Sequence, residues 1–268
     1  MTMKGYWMIR TIRSGMTVEK TQFWVGEKRP RSPRRKGATT QAKAERNLTG
    51  AVRRLARILN CNFREGDLFV TLTYDHEPQS IEEADKACAL FWRRMSRALG
   101  ERLRGVWITA DKDEDSGVSV RLHHHAVISG AGIEVKDGSQ AEACIGGRAL
   151  SDIWGHGYVD VRPLNAGQQD FTPVAAYLVR QAAGCAGQQK WHSSRGLEKP
   201  VIVDEQITDD PHELRAPSGA DVKEISHYDE QTGSHYIRYI YTPKPRRKKG
   251  GPVRHETKQE ARQRRKQT

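Results

Sequence analysis

Apolar and polar positions alternate through Asp67-Leu-Phe-Val-Thr-Leu-Thr-Tyr-Asp75, with Leu68, Val70 and Leu72 on one side and Phe69, Thr71 and Thr73 on the other. A period of two predicts a strand. Gly105-Val-Trp-Ile-Thr-Ala110 predicts a second strand. A third is expected over Val118–Ser129, apolar at both ends and bounded by Gly117 and Gly130. Between the first two, Ile81, Ala84, Cys88, Phe91, Met95 and Ala98 recur every three or four residues, the stripe of an amphipathic helix. Ser80 and Glu83 make a capping box at its start, and Gly100 suits its end. The same spacing joins Leu48, Val52, Leu55 and Leu59 in a helix within 39–59, with arginines on its other face. Farther along come a short helix at 149–154, an alternating strand at 158–164, and a helix at 174–183. The last is opened by Thr172-Pro173 and closed by Gly184. Residues 225–242 read as a hairpin around Gln231-Thr-Gly233. Residues 1–25 fit an irregular strand pair without deciding it, 130–147 a glycine-rich loop, and 201–221 an acidic irregular stretch. Strands with a few helices and no internal repeat point to an α+β fold built on a single sheet.

Charge changes the picture at the ends. The chain of 268 residues has a formal net charge of +12. Lys28 to Lys36 holds six basic residues and no acid, and Lys244 to Thr268 holds eleven basic residues and two acids. The remainder is slightly acidic, so the basicity lies in two segments flanking the folded body. The expected organisation is an N-terminal segment with a basic linker (1–38), a domain over 39–242, and a basic, disordered tail (243–268). Such arms suit the phosphate backbone of nucleic acid, with Arg34 and Arg35 as contacts. Four scattered cysteines without a CxxC pair give neither a zinc signature nor a disulfide framework. No apolar run approaches the ~20 residues of a membrane span, and no signal peptide is evident at Met1–Met16. A cytoplasmic location without membrane contact is the expectation.

The candidate chemistry centres on Val118-Ser-Val-Arg-Leu-His-His-His-Ala-Val-Ile-Ser129. On a strand, His123 and His125 share one face with Arg121, while His124 faces the other way. Two imidazoles side by side form a chelate for a divalent metal, or a hydrogen-bonded pair in a polar sheet face. On the helix after Thr172, Val174, Leu178 and Ala182 form an apolar stripe, and Tyr177 lies near Arg180 and Gln181. A phenolate can attack phosphorus, and a neighbouring cation stabilises both phenolate and phosphate. The alternative for Tyr177 is a ring packed at the core edge. Tyr236, Tyr239 and Tyr241 alternate on a strand and suit packing or base stacking.

Leu-Thr in a strand, then His-x-His in a strand, then Tyr-x-x-Arg on a helix, in that order, resembles the HUH endonuclease superfamily. It is similar above all to the single-tyrosine rolling-circle replication initiators of filamentous-phage-like elements and small plasmids. Asn62–Tyr74, Ile153–Val161 and Ser193–Pro200 extend the resemblance, which covers roughly 45–205. It implies a mainly antiparallel central sheet with flanking helices, a variant of the RRM/ferredoxin-like arrangement, with a metal site on one face. It implies His123 and His125 as ligands of Mg²⁺ or Mn²⁺. Tyr177 would be the nucleophile that leaves a 5′-phosphotyrosine and a free 3′-hydroxyl. Arg180 stands where many members have lysine, and Gln181 where some relatives carry a second tyrosine. The third ligand, commonly a carboxylate, falls at Ala110, so Asp111 is expected in its place, with Asp113 behind it. Arg121, Lys190, Arg195 and Lys199 are expected on DNA.

The function so implied is origin nicking and rejoining of single-stranded DNA in a bacterial cytoplasm, alongside a host helicase and polymerase, since the chain carries no GxxxxGK[ST] loop. The alternatives are a transposase or relaxase with the same chemistry, a non-catalytic origin- or single-strand-binding protein, and a zinc-dependent hydrolytic or metal-storage protein. The last leaves Tyr177 and the basic arms unexplained.

Overall fold

A computed structural model of the chain describes residues 5–26, 40–113, 116–135, 143–165, 167–183, 190–208 and 210–241. The basic linker, Arg34 and Arg35, Gly184 and the basic tail lie outside the described residues. In chain order the elements are β1 (Gly5–Ser14), β2 (Thr17–Gly26), α1 (Gln41–Asn62), β3 (Leu68–Leu72), α2 (Ile81–Leu99), β4 (Gly105–Lys112) and β5 (Ser119–Ile128). They continue with β6 (Glu134–Val135), β7 (Ala143–Ile145), β8 (Arg148–Ala149), α3 (Leu150–Trp154), β9 (Val159–Pro163) and α4 (Thr172–Gln181). The chain then forms β10 (His192–Ser193), β11 (Val201–Ile207), β12 (Asp221–Ile225) and β13 (His235–Ile240).

The fold is α+β and antiparallel, as expected, but it has two large sheets rather than one. The first runs β10-β4-β5-β3-β9, with antiparallel pairing throughout. Alternation along its strands feeds two cores. Leu68, Val70, Leu72, Trp107 and Ile128 pack against Phe91 and Met95 of α2 and Ile153 and Trp154 of α3. On the other face, Val106, Ile108, Ala110 and Val127 meet Leu55 and Leu59 of α1 and Leu178 and Val179 of α4. α2 is capped as its sequence predicts at Ser80, whose hydroxyl accepts from the Glu83 N–H at 3.2 Å. The Glu83 carboxylate reaches back to accept from the Gln79 N–H at 2.7 Å, one residue earlier than a capping box requires. Gly100 ends the helix at φ 73.

The second sheet, β11-β1-β2-β13-β12, joins the two ends of the chain. β1 and β2 form a regular hairpin with a two-residue turn, Gly15-Met16. Gly15 has φ 57, and a Cβ there would lie 2.1 Å from the Asn60 carbonyl oxygen. The turn seats against the end of α1 only because it is glycine. The acidic stretch 201–221 supplies β11, six of whose seven residues are exposed.

α1 lies between the sheets. Its apolar side faces the first sheet. Its arginines face the second rather than solvent. Arg57 makes a two-pronged pair with Glu19, at 2.8 and 2.7 Å. Arg53 sits 4.0 Å over the ring of Tyr236 and pairs with Glu224 at 2.6 Å. Leu48, expected in the apolar stripe, is 40% exposed, and Ala51 and Ala56 are buried in the stripe with Leu55 and Leu59.

Candidate active site

Strand register sets the site. His125 on β5 lies opposite Thr71 on β3 and Ile108 on β4, and His123 lies opposite Ala110. Cross-strand partners share a face, so these residues form one patch on the α4 side of the sheet. Leu178, Val179 and Ala182 dock α4 onto Ile108 and Ala110. Tyr177 and Gln181, one helical turn apart, are thereby set over His125. Its Nε2 has three neighbours: His123 Nε2 at 3.1 Å, Gln181 Oε1 at 3.3 Å and the Tyr177 hydroxyl at 3.4 Å. The Tyr177 ring packs edge-on against both His125 and Phe69, with centroids 5.2 and 5.9 Å away.

The hydrogen-bond chemistry of these atoms is informative. Nδ1 of His123 lies 2.9 Å from the Arg121 carbonyl oxygen. A carbonyl only accepts, so neutral His123 carries its proton on Nδ1 and presents a lone pair at Nε2. Nδ1 of His125 lies 3.1 Å from Thr71 Oγ1. With the His125 proton directed to Thr71, two imidazole lone pairs and an amide oxygen converge with no hydrogen between them. A cation satisfies such a set, and an oxygen holding the far ring nitrogen is the usual outer support of a metal-binding imidazole. Burial, with the charge of His123 adding to it, pulls the His125 pKa down to about 3. The ring therefore stays neutral, and its lone pair free of protons, at ordinary pH.

His124 points into the opposite core. Thr109 donates to the Asp85 carboxylate. Its oxygen then accepts from His124 Nδ1–H at 3.0 Å, and His124 Nε2 accepts from the Tyr74 hydroxyl at 2.7 Å. Asp85 is also 3.6 Å from His192, which stacks on Trp107. Burial lowers the His124 pKa to about 4. It also raises that of Tyr74, which disqualifies Tyr74 as a nucleophile. Tyr236 and Tyr239 are buried in the second sheet.

The structure brings together His123, His125 and Tyr177. Arg180 is exposed in the last turn of α4, on the Tyr177 side. Asp111 falls where the β4–β5 register shifts between Ala110 and Lys112. Among the described residues no three of His, Cys, Asp and Glu gather as a ligand group, so Asp111 does not complete the pair here. Asp113 accepts from the N–H and hydroxyl of Ser116 within its own turn. The third donor is Gln181, 4% exposed. Its signal was the i,i+4 spacing from Tyr177 on one side of a helix. Arg121 donates to the Tyr74 carbonyl at 3.1 Å and lies 3.7 Å from Glu77. Lys190 donates to the Ala182 carbonyl at the end of α4. Arg195 and Lys199 are exposed after β10. Beside Tyr177, between α4 and strands β3 and β9, opens a cleft of about 390 Å³.

Residues 67–182 match the family model of the replication-associated protein ORF2. The matched span begins at the entry to β3 and ends just after Gln181, so it takes in every residue of the constellation around His125. The match supports a role in the initiation of replication. No curated protein and no solved structure matches the chain. No helix among the described residues is long and apolar enough to cross a membrane.

Proposed function

We propose that this chain initiates rolling-circle replication by nicking and rejoining single-stranded DNA through Tyr177. The observation that carries this reading is the convergence of the Tyr177 hydroxyl, both histidine Nε2 atoms and Gln181 Oε1, inside a span that matches replication-associated proteins. That match favours an initiator over a transposase or relaxase.

The donor set fits a divalent cation. His123, His125 and Gln181 would hold Mg²⁺ or Mn²⁺, leaving its remaining positions to water and phosphate. Such an ion, when bound, polarises the phosphate oxygens and orients the ester. The rest falls to the chain itself. Thr71 and the Arg121 carbonyl fix the imidazole tautomers. α4 holds the phenol rigidly beside the ligand atoms, so little ordering remains to be done at reaction. The Tyr177 oxygen forms a bond to phosphorus and the P–O3′ bond breaks. The phenolic proton leaves and the 3′-oxygen gains one, giving a 5′-phosphotyrosine and a 3′-hydroxyl. The ester's free energy is retained in the protein linkage, so the reverse attack rejoins strands. Arg180 adds positive charge on the tyrosine's side of the helix. Arg121, Lys190, Arg195 and Lys199, with the basic arms bearing Arg34 and Arg35, would hold the DNA backbone. Unwinding and synthesis fall to a host helicase and polymerase.

The test is an end-group assay with labelled single strands tiled across the element's non-coding DNA, with Mn²⁺ or with chelator. Expected are a metal-dependent cut, a 3′ end that a polymerase extends, and a 5′ end that kinase cannot label until the protein is removed. A cut with free 5′ ends, or one indifferent to metal, contradicts the mechanism. Binding without any cut returns the non-catalytic reading.

A further inference from the structure

The cleft beside Tyr177 has a chemistry of its own. We infer that it receives one of the two bases joined by the scissile phosphate, and that Asp160 with Arg162 selects guanine there. This rests on the nicking reading for the identity of the phosphate, and on the cleft for the rest.

β9 pairs with β3 so that Asp160 lies opposite Thr71 and Arg162 opposite Phe69. Thr71 in turn lies opposite His125. His125, Thr71 and Asp160 thus form a row across three strands, about 10 Å from first to last at ~4.8 Å per strand. A nucleotide with its phosphate at the histidines can lay its base along that row. The cleft's volume of about 390 Å³ falls in the roughly 300–1,000 Å³ range of small-ligand sites. Phe69, Pro173 and Val174 give it apolar walls, which suit the face of a base. Polar selection is left to the β9 pair. Arg162 Nε donates to Asp160 Oδ2 at 2.8 Å, with the Asp160 side chain 19% exposed and that of Arg162 76%.

A carboxylate only accepts and a guanidinium only donates. Side by side they complement an edge with two adjacent N–H donors next to a carbonyl. Guanine presents that edge, with N1–H and N2–H toward Asp160 and O6 toward Arg162. Thymine presents one N–H between two carbonyls and sets an oxygen against the carboxylate. Discrimination by a two-pronged contact of this kind is roughly 10- to 100-fold.

The test uses the full chain, Mn²⁺ and an origin-strand library randomised at the two positions flanking the nick, with sequencing of the strands captured covalently. Guanine should exceed thymine at one of the two positions by tenfold or more. Asp160→Asn should still form adduct but with that preference flattened. Arg162→Ala, on an exposed side chain that folding does not need, should weaken it. An Asp160→Asn protein with an unaltered preference would overturn the inference. Binding of the same library to Tyr177→Phe separates the two readings. A guanine preference that depends on Asp160 in binding, without adduct formation by the wild type, keeps the base pocket and rejects the nicking chemistry. Adduct formation without any base preference at either position does the reverse.

Discussion

His124 and His125 are neighbours in sequence, both buried, and both held neutral by burial. One is locked in a closed chain of hydrogen bonds, and the other ends in a crowd of lone pairs. Strand alternation separates the two environments. Gln181→Ala should therefore weaken Mn²⁺ binding by about tenfold or more, and Thr71→Val by a smaller factor within the roughly 10- to 100-fold range of outer-shell losses. Titration calorimetry on folded protein reads both. If neither variant shifts the affinity, the convergent atoms are not a metal site. Acid should act on the same rings. Their folded pKa values, about 3 and about 4, lie below the ordinary 6.5, so only the unfolded chain takes up these protons first. Stability present above pH 6.5 should be lost as pH falls toward 4 and then 3. The urea midpoint should drop from pH 7 to pH 4.5, and drop less in His125→Gln. An equal drop in both proteins would remove His125 as a cause.

Among the elements, α1 shows why only part of the fold was legible. Its apolar stripe was readable by period, but an arginine face reads as solvated whether it meets water or a second sheet. Here it meets Glu19, Glu224 and Tyr236. Arg57→Ala should cost about 3 kcal/mol, because it leaves the nearly buried Glu19 carboxylate unpaired. Leu55→Ala, on the apolar side, should cost about 2–5 kcal/mol. Equilibrium urea unfolding measures both, and an Arg57→Ala protein as stable as the parent would make the inter-sheet pair incidental. β1 and β2 hid for a related reason. Ile12 and Glu19 turn toward α1, while Val18 packs with Leu214, Ile237 and Tyr239 on the other face. With both faces covered, no alternation survives. β11 failed oppositely, having no buried face to pattern. The strands of the first sheet, each burying one face deeply, were readable nearly to the residue. The tyrosine and the histidine pair were legible from motif order, but Gln181 was not. A buried amide looks like any polar helix residue until the helix is docked.

At the scale of the whole molecule, the catalytic patch occupies one sheet and the chain's two ends close the other. β13 pairs with β2, and β11 with β1. Removal of residues 1–26 should therefore strip both β11 and β13 of partners and make 201–241 sensitive to protease, while the first sheet keeps its own core. Protection of 201–241 in such a truncation would show that the hairpin is dispensable. The basic segments outside the folded body should govern affinity for any single strand more than the choice of site, so DNA binding should fall steeply with salt.

The most direct measurement is to digest the covalent protein–DNA complex and locate the nucleotide-bearing peptide by tandem mass spectrometry. The account places the phosphate on Tyr177, with loss of the adduct in Tyr177→Phe while DNA binding and the urea midpoint stay unchanged. A linkage at Tyr74, at a late tyrosine, or at any other residue would contradict it.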